Sequence, residues 1–295
     1  QFIIGSSGIG KTHYACEQII RESMENPQHL YYIIVPEQFT MQTQKNVVEM
    51  HPGKGILNID VLSFQRLAYR IFEETGGARE VLLDDTGKSM VLQKLVQQHR
   101  KNLPYLGSQM NKPGYLDEVK SLISEFMQYD IREEELQDML GKTGEDSLLH
   151  MKMQDVGVLY QAFLQYLEGH YMTGEGVMDA LKKAIPFSDK LKKSVLLLDG
   201  FTGFTPVQMN VIRELLNVCD KVLVTVTMDA GENPLQLGKP HQLFYMSRKM
   251  IHTLSGLTSN LDDPVLLKDE RKGRFGNSTS LDFLEKHLFR YRRSA

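Results

Sequence analysis

The sequence contains only two cysteines, Cys16 and Cys219, and they lie far apart along the chain. A zinc or iron–sulfur site needs a cluster of ligands, and no cysteine cluster exists here. Both residues lie in apolar, helical contexts, which favours buried free thiols over a disulfide. Free thiols are typical of proteins in a reducing cytosol, so we expect a cytoplasmic protein.

The sequence also lacks an excess of positive charge and any long apolar run. The formal net charge is −3, which excludes a broadly basic surface and leaves nucleic-acid contact to local groups. No apolar stretch approaches transmembrane length and no signal-peptide pattern opens the chain, so we expect no membrane contact. A hydrophobic share of 41% and a charged share of 24% over 295 residues indicate a globular protein with a substantial core.

Near the start of the chain, residues 5–12 read G-S-S-G-I-G-K-T, a complete Walker A sequence. An apolar run at 2–4 predicts a buried strand before it, and apolar spacing over 12–25 predicts a helix after it. The glycines let such a loop curl around a polyphosphate, and the helix N-terminus favours the anion. We expect ATP to bind here, with Lys11 on the β- and γ-phosphates and Thr12 on Mg²⁺. The predicted binding residues in the loop are Gly5, Ser6, Ser7, Gly8, Ile9, Gly10, Lys11 and Thr12. The alternative is a glycine-rich turn that matches by chance.

Strand and helix patterns alternate on both sides of a long helical region. Residues 1–85 and 191–295 carry apolar, β-branched runs separated by helical spacing, which favours a parallel sheet flanked by helices. Residues 86–190 show helical spacing without a convincing strand, so we expect an all-helical insertion subdomain there. The predicted fold class is therefore α/β. The predicted strands are 2–4, 31–35, 56–62, 194–198 and 221–227, and the predicted helices outside the insertion are 12–25, 39–50, 64–74, 206–218 and 242–257.

The strand at 194–198 runs into Asp199, where a nucleotide triphosphatase carries the acidic group that holds hydrated Mg²⁺. We therefore assign Asp199, together with Thr12, to metal binding, and the alternative is an aspartate that caps a turn. The next residue is Gly200, where hydrolytic motors usually place the glutamate that orients the attacking water. Losing such a base costs on the order of 10²–10⁴-fold in rate, so we expect ATP binding with little turnover and assign no catalytic residue.

Three separated segments resemble one family of DNA-repair proteins. They are V-P-E-Q-F-T-M-Q-T-Q at 35–44, N-I-D-V-L-S-F-Q-R-L-A-Y-R at 58–70 and L-L-D-G-F-T-G-F-T-P at 197–206, which resemble the AddB family. These proteins are the AddB components of the bacterial AddAB helicase–nucleases. Parts of two segments, 61–67 and 199–208, are also similar to T-F-H-S-L and D-E-F-Q-D-x-x-P-x-Q of superfamily 1 DNA helicases.

This resemblance implies a RecA-like P-loop motor domain, split by a helical insertion, that binds ATP and DNA together with an AddA-like partner. It implies a role in double-strand break repair and homologous recombination. The sequence departs from the helicases at Gly200, and it has no glutamine sensor after the strand at 221–227. It opens on a strand without an initiator methionine, and we expect a trimmed chain whose last region stops before a second motor domain and the nuclease domain. We therefore expect neither unwinding nor nuclease activity from these residues alone.

Polar side chains follow the second and third predicted strands, at the edge where open α/β sheets bind ligands. In the helicases that the chain resembles, the segment similar to 61–67 lines the DNA path. We expect hydrogen bonds to DNA phosphates here, and base stacking by Phe64. The alternatives are core packing for Phe64 and a solvated helix position for Arg66. The candidate DNA-binding residues are Gln38, Thr40, Ser63, Phe64, Gln65 and Arg66.

Two other functions are compatible with a Walker A loop. A stand-alone small-molecule kinase uses the same loop but also needs an acceptor site with a base and an arginine-rich lid. A structural module with a vestigial nucleotide site needs neither ligand. Binding of DNA separates the first from the repair protein, and a response to ATP separates the second.

Overall fold

The computed structural model describes residues 1–77, 80–110, 112, 114–229, 231–268, 274–275 and 277–290. The strands are β1 (Phe2–Gly5), β2 (Leu30–Ile34), β3 (Ile59–Leu62), β4 (Val81–Leu82), β5 (Tyr171–Met172), β6 (Ser194–Leu198), β7 (Lys221–Thr227) and β8 (Val265–Leu266). The α-helices are α1 (Lys11–Glu25), α2 (Thr40–Met50), α3 (Phe64–Thr75), α4 (Asp85–Gln98), α5 (Leu106–Gln109), α6 (Tyr115–Gln128), α7 (Glu133–Gly141), α8 (Leu148–Leu167), α9 (Gly174–Ala184), α10 (Pro206–Val218), α11 (Tyr245–Ser255) and α12 (Thr279–His287). Short 3₁₀ turns occupy Glu37–Phe39, Arg100–Asn102, Ile185–Phe187 and Leu191–Lys193.

The chain divides into two compact units. The sheet unit comprises Gln1–Thr75, Ala184–Phe204 and Met209–Ala295, and the helical unit comprises Gly76–Lys183 and Thr205–Gln208. In the described part of the chain, no helix has the length and apolar character that a membrane span requires.

A six-stranded sheet in the order β3-β2-β6-β7-β1-β8 forms the centre of the sheet unit. All of its described pairings are parallel, which confirms the predicted α/β class with a parallel sheet flanked by helices. β1, β2 and β6 are buried along almost their whole length, because continuous apolar runs suit strands that are covered on both faces. In register, Leu198 lies beside Ile34 on one side and Val224 on the other, so the carboxyl ends of these strands lie close together.

Helices of the sheet unit turn one apolar face to the sheet. In α1 the buried residues are Ala15, Cys16, Ile19, Ile20 and Ser23, a spacing that lies on one side of a helix. In α3 they are Phe64, Leu67, Ala68 and Ile71. The core beneath α1 and α2 contains Ile3, Ile33, Val47, Leu197 and Leu223, each with no exposed surface. This packing holds the first turn of α1 at the carboxyl edge of the sheet.

The helical unit has its own core, which α4, α6 and α8 share through Leu92, Ile123, Leu159 and Phe163. It also contains a short two-stranded parallel sheet, because Val81–Leu82 pairs with Tyr171–Met172. The prediction of an all-helical segment over 86–190 was therefore wrong at β5. A pairing of two residues each produces no periodic pattern that the sequence could reveal.

The remaining boundaries differ by a few residues. β3 begins at Ile59 rather than at 56, and α11 spans Tyr245–Ser255 rather than 242–257. The predicted strands at 194–198 and 221–227 and the helix at 206–218 match β6, β7 and α10. β8 and α12 had no prediction, and β8 has only two residues.

Candidate functional site

The glycine-rich loop lies between β1 and α1 at the carboxyl edge of the sheet. β1 ends at Gly5 and α1 begins at Lys11, so residues 6–10 form the connection. Gly8 and Gly10 have φ angles of +77° and +99°, a left-handed conformation that residues with a side chain rarely adopt. Alternation of such residues with ordinary ones makes a concave row of N–H groups, which suits an anion. Ser6, Gly8 and Ile9 are half-buried, and Ser7 and Gly10 are exposed.

Lys11 and Thr12 open α1 and stand beside this loop. The Lys11 ammonium donates to the carbonyl of Ser6 at 2.9 Å. Burial lowers the pKa of Lys11 from its ordinary value, while the carboxylates of Asp199 and Glu285 act in the opposite direction. A cation that is partly removed from water and bonded only to a neutral carbonyl gains by meeting an anion. The side chain is therefore suited to bind phosphate.

Asp199 follows β6 and lies directly across from the first turn of α1. The Thr12 hydroxyl is 3.0 Å from both carboxylate oxygens of Asp199. Asp199 is 6% exposed, and its backbone N–H donates to the carbonyl of Ile34 at 3.0 Å. The two residues assigned to a metal from the sequence are thus neighbours, although 187 positions separate them.

Gly200 follows Asp199 in a left-handed conformation, with φ of +79°. A Cβ built on Gly200 would contact only the Cδ atom of Pro36, at 3.6 Å, which is an ordinary packing distance. The backbone conformation, rather than lack of space, therefore favours glycine at this position.

A cavity of about 710 Å³ lies over these groups. Its wall contains Lys11, Thr12 and Asp199 on one side and Thr43, Asn46 and Glu49 of α2 on another. This volume is within the range of small-molecule sites. Cys16 also lines the cavity, and burial raises the pKa of its thiol to about 12, with Asp199 adding to the shift. The thiol is therefore neutral and is a poor metal ligand near neutral pH.

Residues 274–275 pack on the phosphate loop and were not predicted. The Arg274 N–H donates to the carbonyl of Gly8 at 2.8 Å, and its side chain lines the cavity. A Cβ at Gly8 would lie 2.7 Å from the ring of Phe275, so the close approach also requires glycine here. Among the described residues, no carboxylate forms an ion pair with Arg274. These residues follow a stretch without periodic pattern, so the sequence offered no signal for them.

Thr225 was also not predicted. It lies in β7, and its hydroxyl donates to Oδ1 of Asp199 at 2.6 Å. Its signal in the sequence is a hydroxyl within K-V-L-V-T-V-T, because a polar residue in a buried strand requires a partner.

The candidate DNA-binding residues lie after β2 and β3, and the structure exposes only half of them. Gln38, in the 3₁₀ turn Glu37–Phe39, is exposed. Thr40 is 3% exposed, and its hydroxyl donates to the carbonyl of Glu37 at 2.9 Å. Ser63 is 5% exposed, and its oxygen accepts the N–H of Arg66 at 3.4 Å, so it begins α3. These two hydroxyls serve local structure.

The aromatic candidate, Phe64, packs in the core. It is 5% exposed, and its ring centroid lies 5.6 Å from that of Phe201 and 6.2 Å from that of Phe204. This arrangement favours the packing alternative over base stacking. Gln65 and Arg66 are exposed, and the Arg66 Nε donates to the Glu37 carboxylate at 3.1 Å.

Comparison with known proteins gives consistent matches over nearly the whole chain. A family model described as "ADDB, N-terminal" matches residues 2–285. A protein of Lachnoclostridium phytofermentans, named as the second subunit of an "ATP-dependent helicase/deoxyribonuclease", is 44% identical over 299 residues, which cover 99% of this chain and 26% of that protein. Proteins with the same name from Desulforamulus reducens and Clostridium acetobutylicum are each 31% identical over 99% of this chain, covering 26% and 25% of their own lengths.

The chain therefore spans about a quarter of the length of the curated relatives it matches. The matches confirm the resemblance that the three segments at 35–44, 58–70 and 197–206 indicate. Because the family model covers residues 2–285, we conclude that this chain belongs to the "ADDB, N-terminal" family.

Proposed function

We propose that this chain is a RecA-like P-loop domain that binds ATP with Mg²⁺, as the N-terminal region of an AddB-type helicase/deoxyribonuclease subunit. The observation that carries the proposal is the contact of the Thr12 hydroxyl with both oxygens of Asp199, at 3.0 Å. It joins the glycine-rich loop to the acidic end of a neighbouring strand, the two parts that a nucleotide–metal complex requires.

The residues at this point fit Mg²⁺. The ion prefers oxygen ligands, and it is usually held by one or two carboxylates together with waters and the phosphates of a nucleotide. Thr12 and Asp199 supply one hydroxyl and one carboxylate, and both line the same cavity as Lys11. Elsewhere in the described part of the chain, no group of three or more His, Cys, Asp or Glu side chains is arranged to hold a metal. A bound Mg²⁺ would neutralise phosphate charge.

We propose that turnover of ATP is slow. Gly200 provides no side chain where the helicases that the chain resembles carry the glutamate that orients water. Loss of such a base lowers rates by about 10²–10⁴-fold. The site would then act through binding of ATP rather than through its hydrolysis.

We also propose contact with DNA at the carboxyl edge of the sheet, through the exposed side chains of Gln38, Gln65 and Arg66. Amide and guanidinium groups bind phosphate oxygens without reading sequence. The relatives are named as one subunit of a helicase/deoxyribonuclease, and we infer a partner of AddA type for this chain. We further infer a role in double-strand break repair and recombination, in the cytoplasm.

The test is a thermal-shift titration with ATP and Mg²⁺. A ligand that binds only the folded state raises its stability by RT ln(1 + [L]/Kd), about 2.7 kcal/mol at one hundred times Kd. We expect a saturable rise for the wild type and none for Lys11→Ala. Lys192→Ala is the matched control, because Lys192 is an exposed lysine paired with Asp189 and lies outside the cavity.

Three outcomes would contradict the proposal. Equal shifts for the wild type and Lys11→Ala would place ATP elsewhere, and no shift for either would indicate a vestigial site. Phosphate transfer to a small alcohol or nucleoside, without binding of single-stranded DNA, would indicate a kinase.

A further inference from the structure

Thr225 is a buried hydroxyl among apolar neighbours. It is 4% exposed, and it follows Val222, Leu223 and Val224 in β7, none of which is more than 8% exposed. Val224 pairs with Leu198, so Thr225 lies level with Asp199 at the edge of the sheet. A hydroxyl at such a place destabilises the fold unless it forms hydrogen bonds. Its partners therefore indicate why a threonine is present.

The partners of Thr225 are the acidic residue and the glycine beside it. The hydroxyl donates to Oδ1 of Asp199 at 2.6 Å, within the range of a charge-assisted bond to a carboxylate. Its oxygen accepts the Gly200 N–H at 3.4 Å. Because the oxygen faces a donor, the hydroxyl proton is directed to the carboxylate.

Asp199 thus has two hydroxyl neighbours with different duties. Thr12 lies 3.0 Å from both carboxylate oxygens, and it is exposed at the start of α1. Its oxygen is the one that the proposed function assigns to Mg²⁺. Thr225 contacts only Oδ1 and is held in a strand. Fixing Oδ1 leaves Oδ2 as the oxygen that is available to the metal and its waters.

We propose that Thr225 is a positioning residue for the metal site: its hydroxyl holds the Asp199 carboxylate in the orientation that Mg²⁺-dependent nucleotide binding requires. This inference rests on the proposed function and adds to it a group outside the Walker sequences. Partners that orient a ligand in this way typically change metal affinity by about 10–100-fold when they are removed.

The experiment measures the affinity for a non-hydrolysable ATP analogue by calorimetry, once with Mg²⁺ and once with EDTA. The quantity of interest is the factor by which Mg²⁺ tightens binding, the dissociation constant in EDTA divided by that in Mg²⁺. Thr225→Val removes the hydroxyl with little change of shape, and we expect it to lower this factor by about 10–100-fold. Thr225→Ser keeps the hydroxyl, and we expect a factor close to that of the wild type. Binding in EDTA should change little in either variant.

Ser194→Ala is the matched control. Ser194 begins β6, has no exposed surface, and donates to the carbonyl of Leu191 at 2.8 Å. It is a buried strand hydroxyl on the Asp199 strand, but at the opposite end. Its loss should lower stability and leave the Mg²⁺ factor unchanged, which separates positioning from general destabilisation. If Thr225→Val fails to fold, Thr225→Ala provides the same comparison, because the smaller side chain lets water reach the carboxylate.

The outcomes distinguish this inference from the proposed function. A wild-type factor retained in Thr225→Val or Thr225→Ala overturns the inference and leaves ATP binding intact. Wild-type binding that does not depend on Mg²⁺ also overturns it. No wild-type binding under either condition overturns the proposed function itself. A factor that falls for valine and recovers for serine supports the inference.

Discussion

Gly200→Glu restores the residue that the resembling helicases carry, and we predict that it does not restore hydrolysis. The obstacle lies in the backbone. Position 200 has φ of +79°, and a left-handed conformation costs a residue with a side chain about 1–2 kcal/mol. Space is not limiting, since the nearest atom to a built Cβ is at 3.6 Å. Relief by rotation would move the N–H that contacts Thr225 and disturb Asp199.

The expected effect has two parts. Stability should fall by about 1–2 kcal/mol, a decrease in melting temperature of about 2–8 °C for a unit of this size. Turnover should rise by less than about tenfold, against the 10²–10⁴-fold that a well-placed base contributes. The assays are thermal melting without nucleotide and steady-state ATPase with Mg²⁺.

Two control variants separate the contributions. Gly200→Ala adds the backbone cost without a carboxylate, so it should destabilise about as much as Gly200→Glu. Gly203→Glu adds the same charge where a Cβ meets nothing within 4 Å, and φ there is not left-handed. It should cost little stability. A gain in turnover of a hundredfold or more from Gly200→Glu, or an unchanged melting temperature for Gly200→Ala, would refute the reasoning.

Three further predictions concern the phosphate loop and its surroundings. Gly8→Ala should destabilise the chain by about 1–3 kcal/mol, and by more than Gly10→Ala in thermal melting, because its Cβ would collide with Phe275 while that of Gly10 meets nothing within 4 Å; equal losses would contradict this packing. Lys11→Met should raise the melting temperature without nucleotide and abolish the ATP shift, since burial lowers the pKa of Lys11 below its ordinary 10.5. Between the lowered pKa and 10.5 the unfolded chain binds more protons, so wild-type stability should increase with pH in that window and that of Lys11→Met should not. Arg274→Ala should weaken ATP binding in calorimetry by about threefold to tenfold, as expected for a phosphate contact from an exposed cation, whereas unchanged affinity would leave Arg274 as a wall only.

Most of the site could be predicted because its parts are local or meet by a general rule. The loop over 5–12 is one continuous motif, and its conformation depends on glycines within it. Asp199 follows an apolar strand, and the carboxyl ends of parallel strands meet at the same edge of a sheet. Its contact with Thr12 follows from that rule, even across 187 positions.

The parts that were missed depend on packing between distant segments. Arg274 reaches the cavity because its N–H bonds to Gly8, and no pattern in the intervening sequence indicates that return. Thr225 contacts Asp199 through strand register, which a hydrophobic pattern does not determine. Phe64 shows the same limit, since a helix start and an aromatic side chain are compatible with stacking on a base or packing against Phe201 and Phe204. Only the surrounding core decides between them.

A crystal structure of this chain with Mg²⁺ and a non-hydrolysable ATP analogue tests the central claim most directly. We predict that the triphosphate lies in the loop over 5–12, with the Lys11 ammonium moved from the Ser6 carbonyl, now at 2.9 Å, to the phosphates. Mg²⁺ should lie beside Thr12 and Asp199. An empty loop at saturating nucleotide, with Lys11 still bonded to Ser6, would contradict the account.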